Sequence, residues 1–445
     1  MKILFIHPQR KARQSSKKSV QAYIPPLTIP TLAGLTPAGI DVELCDESVE
    51  DVNFNTDAGL IGITGITSQI NRAYEIADAF RARGKRVVLG GIHATALPEE
   101  AKQHADSVVI GEAEDIWEEL IQDCRDSRLK EEYQASQYSD LRNLVIPRYE
   151  LFKLDRYRRS TGTKLPRLPI QVSRGCPFNC NFCSVTKFWG PKIRTKPLAN
   201  VEQELLNIKS LGTNRVFFTD DNFIANIDYT RELLKLIRRH QITFFCQVST
   251  NIQKHEDIIA EMGRARCTGV YMGIESLSDE SLASLNKKVN RVADYTHLFT
   301  MMNKANIQVT ASMMMGLDGD TAESVADSIR KLQDLGVGHL QLYLPALFPG
   351  TEFRDRLIRD GRVTDLNWDN QNASSVTFKP KNFNEEQLKR EYWRLYRQFY
   401  SYKSISERIL SPGVLKLGPK TALTRLRTNL YYRKRLHNGL HPYEN

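Results

Sequence analysis

The stretch Ser173-Arg174-Gly175-Cys176-Pro177-Phe178-Asn179-Cys180-Asn181-Phe182-Cys183 decides how the rest of this 445-residue chain is read. Its three cysteines are spaced C-x3-C-x2-C, and the nearest others are Cys124 upstream and Cys246 downstream. Three thiolates on one short loop can hold three irons of a [4Fe–4S] cube and leave the fourth iron without a protein ligand. An open iron is a place for chemistry, whereas an electron-carrying cluster normally closes all four corners. A structural zinc site asks instead for four tetrahedral ligands, and no histidine lies between Cys176 and Cys183. A disulfide framework does not suit a long chain with 7 cysteines, an odd count. Cys45, Cys124, Cys246 and Cys267 read as small apolar core residues.

Outward from the loop, residues 166–362 alternate strands with helices. Strands are expected at Pro169–Val172, Arg215–Thr219, Phe244–Ser249, Gly269–Ile274, Gln308–Met314 and His339–Leu344. Val201, Leu205 and Ile208 mark the first helix by their i, i+4, i+7 spacing, and Val325, Ile329 and Leu332 mark the last. Asp320 with Glu323 three residues on reads as a helix start. Six such units predict a partial (β/α)6 barrel with its reactive groups at the carboxyl ends of the strands. Those ends are polar: Thr219-Asp220-Asp221-Asn222, Ser249-Thr250-Asn251 and Glu275-Ser276. A zwitterionic nucleoside needs this mixture of acceptors and backbone groups.

Residues 1–135 predict a doubly wound parallel α/β domain. Its strands are expected at Ile3–Ile6, Asp41–Asp46, Leu60–Ile63, Arg86–Gly90 and Ser107–Gly111, with helices over Ile70–Arg83 and Asp115–Cys124. Ligands on such a sheet bind beyond the carboxyl ends of the strands. Here those ends are Thr64-Gly65-Ile66-Thr67-Ser68, Gly90-Gly91-Ile92-His93-Ala94-Thr95 and Gly111-Glu112-Ala113-Glu114, whose glycines let the backbone come close to a flat or phosphate-bearing ligand, as in any doubly wound domain. Residues 136–165 read as a linker, and 363–445 as a helical, basic extension. In that extension Leu388, Tyr392, Leu395 and Phe399 share one side of a helix over Asn384–Ser401, and Trp393, Tyr396 and Tyr400 read as packing residues before substrate contacts.

The three-cysteine loop resembles that of the radical S-adenosylmethionine (SAM) superfamily. With Pro25-Pro26-Leu27 and His93-Ala94-Thr95-Ala96-Leu97-Pro98-Glu99-Glu100 upstream, the chain resembles the cobalamin (B12)-dependent radical SAM enzymes over residues 1 to about 360. The resemblance implies an N-terminal Rossmann-like cobalamin domain, a partial radical SAM barrel, and three cofactors: a [4Fe–4S] cluster on Cys176, Cys180 and Cys183, SAM, and cobalamin. It further implies that Thr219, Asp220 and Asp221 meet the SAM amino group. Ser249, Asn251 and Glu275 would meet its amino acid or ribose, and Phe182 would lie beside adenine. Cobalamin would rest on Thr64, Gly65, Thr67, Ser68, Gln69, Gly90, Gly91, His93, Ala94, Thr95, Gly111 and Glu112. The D-x-H-x-x-G motif that supplies a histidine to cobalt in many B12 enzymes is absent, so cobalt's lower face is expected near Thr67–Arg72, with Gln69 the residue singled out. The commonest activity of the resembled family is C-methylation: a 5′-deoxyadenosyl radical removes a hydrogen, and a methyl from SAM reaches that carbon by way of cobalamin. No side chain is assigned as a general acid or base. A non-methylating enzyme of the same architecture, such as the anaerobic cyclase of chlorophyll precursors, is the alternative. A cofactor-binding sensor is a third reading, and methylthiotransferases are disfavoured because residues 1–135 contain only Cys45 and Cys124.

Composition narrows the partners. A hydrophobic content of 41% with 26% charged residues describes a globular chain without a span-length apolar stretch. The short apolar start reads as a first strand and not a signal peptide, which with an oxygen-sensitive cluster predicts a cytoplasmic protein. The net charge is +10, and between Lys403 and Leu436 nine Lys or Arg face the single acid Glu407. Leu423, Leu426 and Leu430 share a helical face there, which suits either a packed basic helix or peripheral contact with an anionic membrane. A small-molecule substrate is expected, with a lipid or tetrapyrrole attractive, and a flavodoxin or ferredoxin as reductant. Nucleic acid is not expected, because no recognised nucleic-acid module accompanies the charge.

Overall fold

Two six-stranded, all-parallel sheets carry the chain, whose computed structural model describes residues 1–10, 24–157, 165–410, 414 and 418–441. The first sheet contains β1 (Lys2–His7), β2 (Asp41–Asp46), β3 (Leu60–Thr64), β4 (Arg86–Gly90), β5 (Ser107–Ile110) and β6 (Glu132–Gln134), in the order β2-β1-β3-β4-β5-β6. Central strands of such a sheet are covered on both faces and therefore read as unbroken apolar runs. Ile3, Leu4, Phe5 and Ile6 are all buried, with Ile3 and Phe5 in one core and Leu4 and Ile6 in the other. The helix Ile70–Arg81 covers one face through Ile70, Ala73, Ile76, Ala77 and Phe80. Several short elements had no counterpart in the sequence pattern, among them the helices Ile92–Ala96 and Pro98–Ala101. Thr28–Leu35 forms a short helix around Pro30, and β6 is a three-residue edge strand with only Tyr133 buried.

The second sheet contains β7 (Leu168–Ile170), β8 (Arg215–Phe218), β9 (Thr243–Val248), β10 (Cys267–Glu275), β11 (Gln308–Met314) and β12 (His339–Tyr343), in the order β12-β11-β10-β9-β8-β7. This consecutive order is that of an open (β/α)6 barrel. The outer edge of β12 is covered by the helix Glu385–Phe399. Tyr392 donates its hydroxyl to the Leu342 carbonyl at 3.0 Å, and the Tyr400 hydroxyl meets both the Leu340 amide and carbonyl at 3.1 Å. Side-chain groups thus complete an edge strand that would otherwise expose unpaired backbone. Tyr396 and Tyr400 are fully buried, so both serve packing.

The segment expected to be a linker is pinned where it is described. Tyr149 donates to the Pro169 carbonyl and to Glu204, both at 2.6 Å, and Tyr157 donates to Asp46 at 2.8 Å. Residues 158–164 of that segment and Lys416 of the basic tail lie outside the described residues. The helix after β11 starts one residue later than expected. Thr321 is its cap, accepting from Ser324 N, while Asp320 turns back to accept the Gly316 and Leu317 amides at 3.0 Å. In the tail, helix Pro419–His437 buries Arg425 and Asn429 and leaves Leu423 and Leu430 exposed. Among the described residues no helix is long and apolar enough to cross a membrane.

Candidate active site

The cysteine loop runs from the two-residue strand Ser173–Arg174 to the helix Val185–Trp189. Gly175 has φ of +96°, and a Cβ there would lie 2.3 Å from the Lys192 carbonyl oxygen, so only glycine lets the loop leave its strand at this angle. Backbone bonds fix the rest: Cys176 N donates to the Gly190 carbonyl, Asn181 N to Leu285, and Phe353 N to Asn181. Burial pushes all three thiols up, Cys183 to about 12, so loading with iron must displace their protons. Among the described residues no three His, Cys, Asp or Glu side chains are drawn together tightly enough for a single metal ion. The cysteines share a loop without converging on one point.

The barrel rim gathers charge around this loop. Glu275 ends β10 at φ +60° and accepts from Lys287 at 3.1 Å, with both side chains largely buried. Gly273 makes room for it, since a Cβ there would lie 2.4 Å from Glu275 Oε1. Burial pulls the Lys287 ammonium down, but Glu275 and the nearby cysteines more than offset this and hold it above its ordinary value. Lys287 also lies 5.7 Å over the Phe182 ring, which itself rests on the Leu285–Phe353–Phe378 cluster. Nothing in its surroundings in the sequence, a Lys-Lys pair after a short helix, set Lys287 apart.

The two aspartates at the end of β8 play different parts. Asp220 is fully buried and accepts the Val172 amide at 3.2 Å and both the amide and hydroxyl of Ser173. Burial pushes it to about 6 against those hydrogen bonds. The Asp220 carboxylate thus holds the strand that leads into the cysteine loop. Burial, and then Asp220, push Asp221 to about 7, and its Oδ2 is buried with no partner. Of the pair, Asp221 is left free to receive a ligand. Thr219 donates to the Ile170 carbonyl at 3.3 Å, and Ser249 hydrogen-bonds Asn251. Asn222, which the sequence reading did not single out, accepts the Ser249 amide at 3.2 Å.

Across from this rim, the carboxyl ends of β3, β4 and β5 line a cavity of about 440 Å³. Thr64, Gly65, Gly90, Gly91, Gly111, Glu112 and Thr219 all border it, together with Trp117 and Trp189. Gly91 has φ of +101°, and a Cβ there would press to 2.8 Å from Thr64 Oγ1. A second cavity of about 340 Å³ is bordered by Thr67 and Thr95, and the two share Ile66, Ile92 and Phe188. Ile66, 45% exposed, stands between them.

Four expected cobalamin residues border neither cavity. Ser68 and Ala94 are buried in the domain. Gln69 is spent on its own turn, accepting the Ile66 amide at 3.0 Å and donating to the Pro8 carbonyl at 2.8 Å. His93 is fully buried, 3.3 Å from Glu100 and edge-on to Trp368, whose indole N–H also donates to Glu100 at 3.0 Å. Burial lowers its pKa against the pull of Glu100. Gln69 thus closes a turn, and His93 seats Trp368 of the C-terminal region.

Glu112 is likewise an inter-sheet tie. Its carboxylate accepts from Arg174 at 3.0 Å, Arg194 at 2.9 Å and the Ser139 amide at 3.1 Å. Arg174 also pairs with Glu114 and lies 4.5 Å over the Trp189 ring. Burial drives Glu114 up, and Arg174 more than reverses it, so Glu114 stays ionised below its ordinary range. The residue two before Cys176 is thus clamped to the end of β5.

A barrel rim with a three-thiol loop, facing a glycine-rich Rossmann-like rim, defines a radical SAM enzyme built on a B12-binding domain. Family models agree: "Radical SAM superfamily" matches residues 170–332, "B12 binding domain" residues 17–121, and "Domain of unknown function (DUF4070)" residues 351–430. The bacteriochlorophyllide d C-8(2)-methyltransferase of Chlorobaculum tepidum is 30% identical over 94% of this chain and 93% of its own length. The C-12(1)-methyltransferase of the same organism is 28% identical over 90% and 88%. The radical SAM methyltransferase TsrM from Kitasatospora setae, solved with cobalamin and a [4Fe–4S] cluster, superposes with a TM-score of 0.62 at 18% identity, over 81% of this chain and 78% of its own. The chain belongs to the cobalamin-dependent radical SAM enzymes. It is a C-methyltransferase of that family, with a [4Fe–4S] cluster, SAM and cobalamin as cofactors.

Proposed function

We propose that the chain methylates a carbon of a tetrapyrrole-class macrocycle. The observation that carries this reading is its end-to-end similarity to two enzymes that act on one such ring, bacteriochlorophyllide d. When bound, the cluster and SAM supply a hydrogen-abstracting radical, and cobalamin supplies a methyl carrier. The protein's part is to hold, orient and keep out water. In this reading Cys176, Cys180 and Cys183 bind the cluster. The buried, partnerless Asp221 oxygen receives the SAM ammonium, with Glu275 and Lys287 as a preformed pair beside it. Thr219, Ser249, Asn251 and Phe182 complete that side.

Thr64, Gly65, Gly90, Gly91 and Gly111 admit the cobalamin tail to the 440 Å³ cavity, and Thr67 and Thr95 border the corrin side. The Glu112–Arg174–Arg194 tie sets the distance between the two rims, which a two-cofactor reaction has to keep constant. Functionally the chain then divides into a cobalamin platform (1–135), a connecting segment (136–165), the SAM barrel (166–362) and a covering extension (363–445).

A lipid-like or membrane-held substrate and a cytoplasmic location at a membrane face accord with the tail, where exposed Leu423 and Leu430 alternate with exposed Arg427 and Lys434. Holoenzyme incubated anaerobically with methyl-labelled SAM, a reductant and bacteriochlorophyllide d tests the substrate. Label in the chlorin, with one 5′-deoxyadenosine and one S-adenosylhomocysteine per methyl, is the expected result. Both SAM products without label in the chlorin would refute it. Flotation with anionic vesicles, with and without residues 419–441, tests the membrane contact.

A further inference from the structure

The 340 Å³ cavity touches four elements at once. These are the turn Ile66–Thr67 and the short helix Ile92–Ala96 of the N-terminal domain, the helix just after Cys183, and the loop Phe348–Gly350 that follows β12. On the function proposed above, on which this inference rests, the reacting carbon loses hydrogen on the cysteine-loop side and gains a methyl from the cobalamin side. It must therefore lie between these elements. The lining is apolar apart from hydroxyls and one charged side chain, Lys187.

Lys187 is exposed on the helix Val185–Trp189, four residues beyond Cys183, and no carboxylate pairs with it among the described residues. The sequence places no acid between Asp155 and Glu202 to neutralise it. A lone ammonium at the edge of an apolar recess complements an apolar body bearing one carboxylate. A zwitterion would need an acid as well, and a phosphate ester favours the forked donors of arginine. Lysine's flexible stem lets the charge stay in water while its methylenes line the recess.

We propose that Lys187 recognises a carboxylate arm on the substrate and so selects the free acid of the macrocycle over its ester. The test uses reconstituted holoenzyme with bacteriochlorophyllide d and with its methyl ester, following KM by methyl transfer and binding by chlorin fluorescence. Wild type is expected to favour the acid by about tenfold, the size of one charge-assisted hydrogen bond. Lys187→Met should remove that preference by raising the KM of the acid towards that of the ester, whose own KM serves as the internal control. Lys187→Arg should keep it. Equal affinity of wild type for acid and ester, or a preference that survives in Lys187→Met, would overturn the assignment. Chlorin binding that discriminates the acid through Lys187 but leads to no methyl transfer would instead fault the proposed reaction and leave the recognition standing. No binding of either chlorin would overturn both.

Discussion

The two sheets turn their carboxyl ends towards each other, and they treat charge in opposite ways. The barrel rim holds Asp221, Glu275 and Lys287 buried around the cysteine loop, with an ion pair and an unpartnered carboxylate oxygen ready before any ligand arrives. The rim of the N-terminal sheet presents threonine, glycine and isoleucine, and the charged Glu112 at its edge is spent on Arg174 and Arg194. On the function proposed above, one rim takes a small zwitterion through specific contacts and the other a large flat molecule through shape. Parallel sheets of similar size thus serve two cofactors because their strand-end loops differ while their cores do not.

Substitutions at the two rims should separate the two cofactors. The largest effect is expected for Cys180→Ala, which should abolish reductive SAM cleavage while the N-terminal domain stays folded and retains cobalamin. 5′-Deoxyadenosine formed by that variant would contradict the cluster assignment. Next comes the tie between the rims. Glu112→Ala leaves the buried Arg174 and the half-buried Arg194 without their shared carboxylate, and a stability loss of about 3–5 kcal/mol is expected in urea denaturation. A smaller, selective effect is expected of Gly91→Ala. Its left-handed φ and contact with Thr64 represent about 1–3 kcal/mol of strain, so cobalamin retention should fall about tenfold or more with SAM cleavage intact. Loss of SAM cleavage in the same variant would show that the rims are not independent.

The smallest effect concerns the base of the barrel, away from both rims. Burial, and then Arg408 and Arg425, push His339 down to about 3 from an ordinary 6.5. A histidine lowered in this way is neutral when folded and binds a proton when unfolded. The stability it supports is therefore complete above about pH 6.5 and declines as pH falls towards 3. His339→Gln should flatten the pH dependence of the urea midpoint in that window. An unchanged slope would mean that this histidine is solvated in the folded protein.

Much of the architecture was readable from the chain, for a physical reason. Parallel strands covered on both faces are apolar through their middles, so Ile3–Ile6 and Val87–Leu89 stand out from their surroundings, while barrel strands such as Thr243–Val248 are marked by alternation of buried and half-buried residues. The helix around Pro30 and the edge strand Glu132–Gln134 did not, because one contains a helix breaker and the other buries a single side chain. At the site, the spacing of three cysteines is a local signal and needs no fold to be seen. The division of labour among polar strand-end residues is not local. Asp220 and Asp221 are adjacent, yet one meets the amide of Ser173 and the other buries a carboxylate oxygen that has no partner. Likewise, what surrounds His93 is a cluster completed by Trp368, far along the chain. Sequence position marks a strand end as polar, and only the packed fold decides which of its groups remains free.

On this reading, two facing rims hold two different cofactors at once. The most direct test is the absorption spectrum of anaerobically purified, iron–sulfur-reconstituted protein after exposure to hydroxocobalamin and desalting. Cobalamin retained close to one per chain beside the cluster's own absorption is the predicted result, with Gly91→Ala losing the former and Cys180→Ala the latter. A cluster without retained cobalamin would contradict the claim and leave the N-terminal sheet without its assigned role.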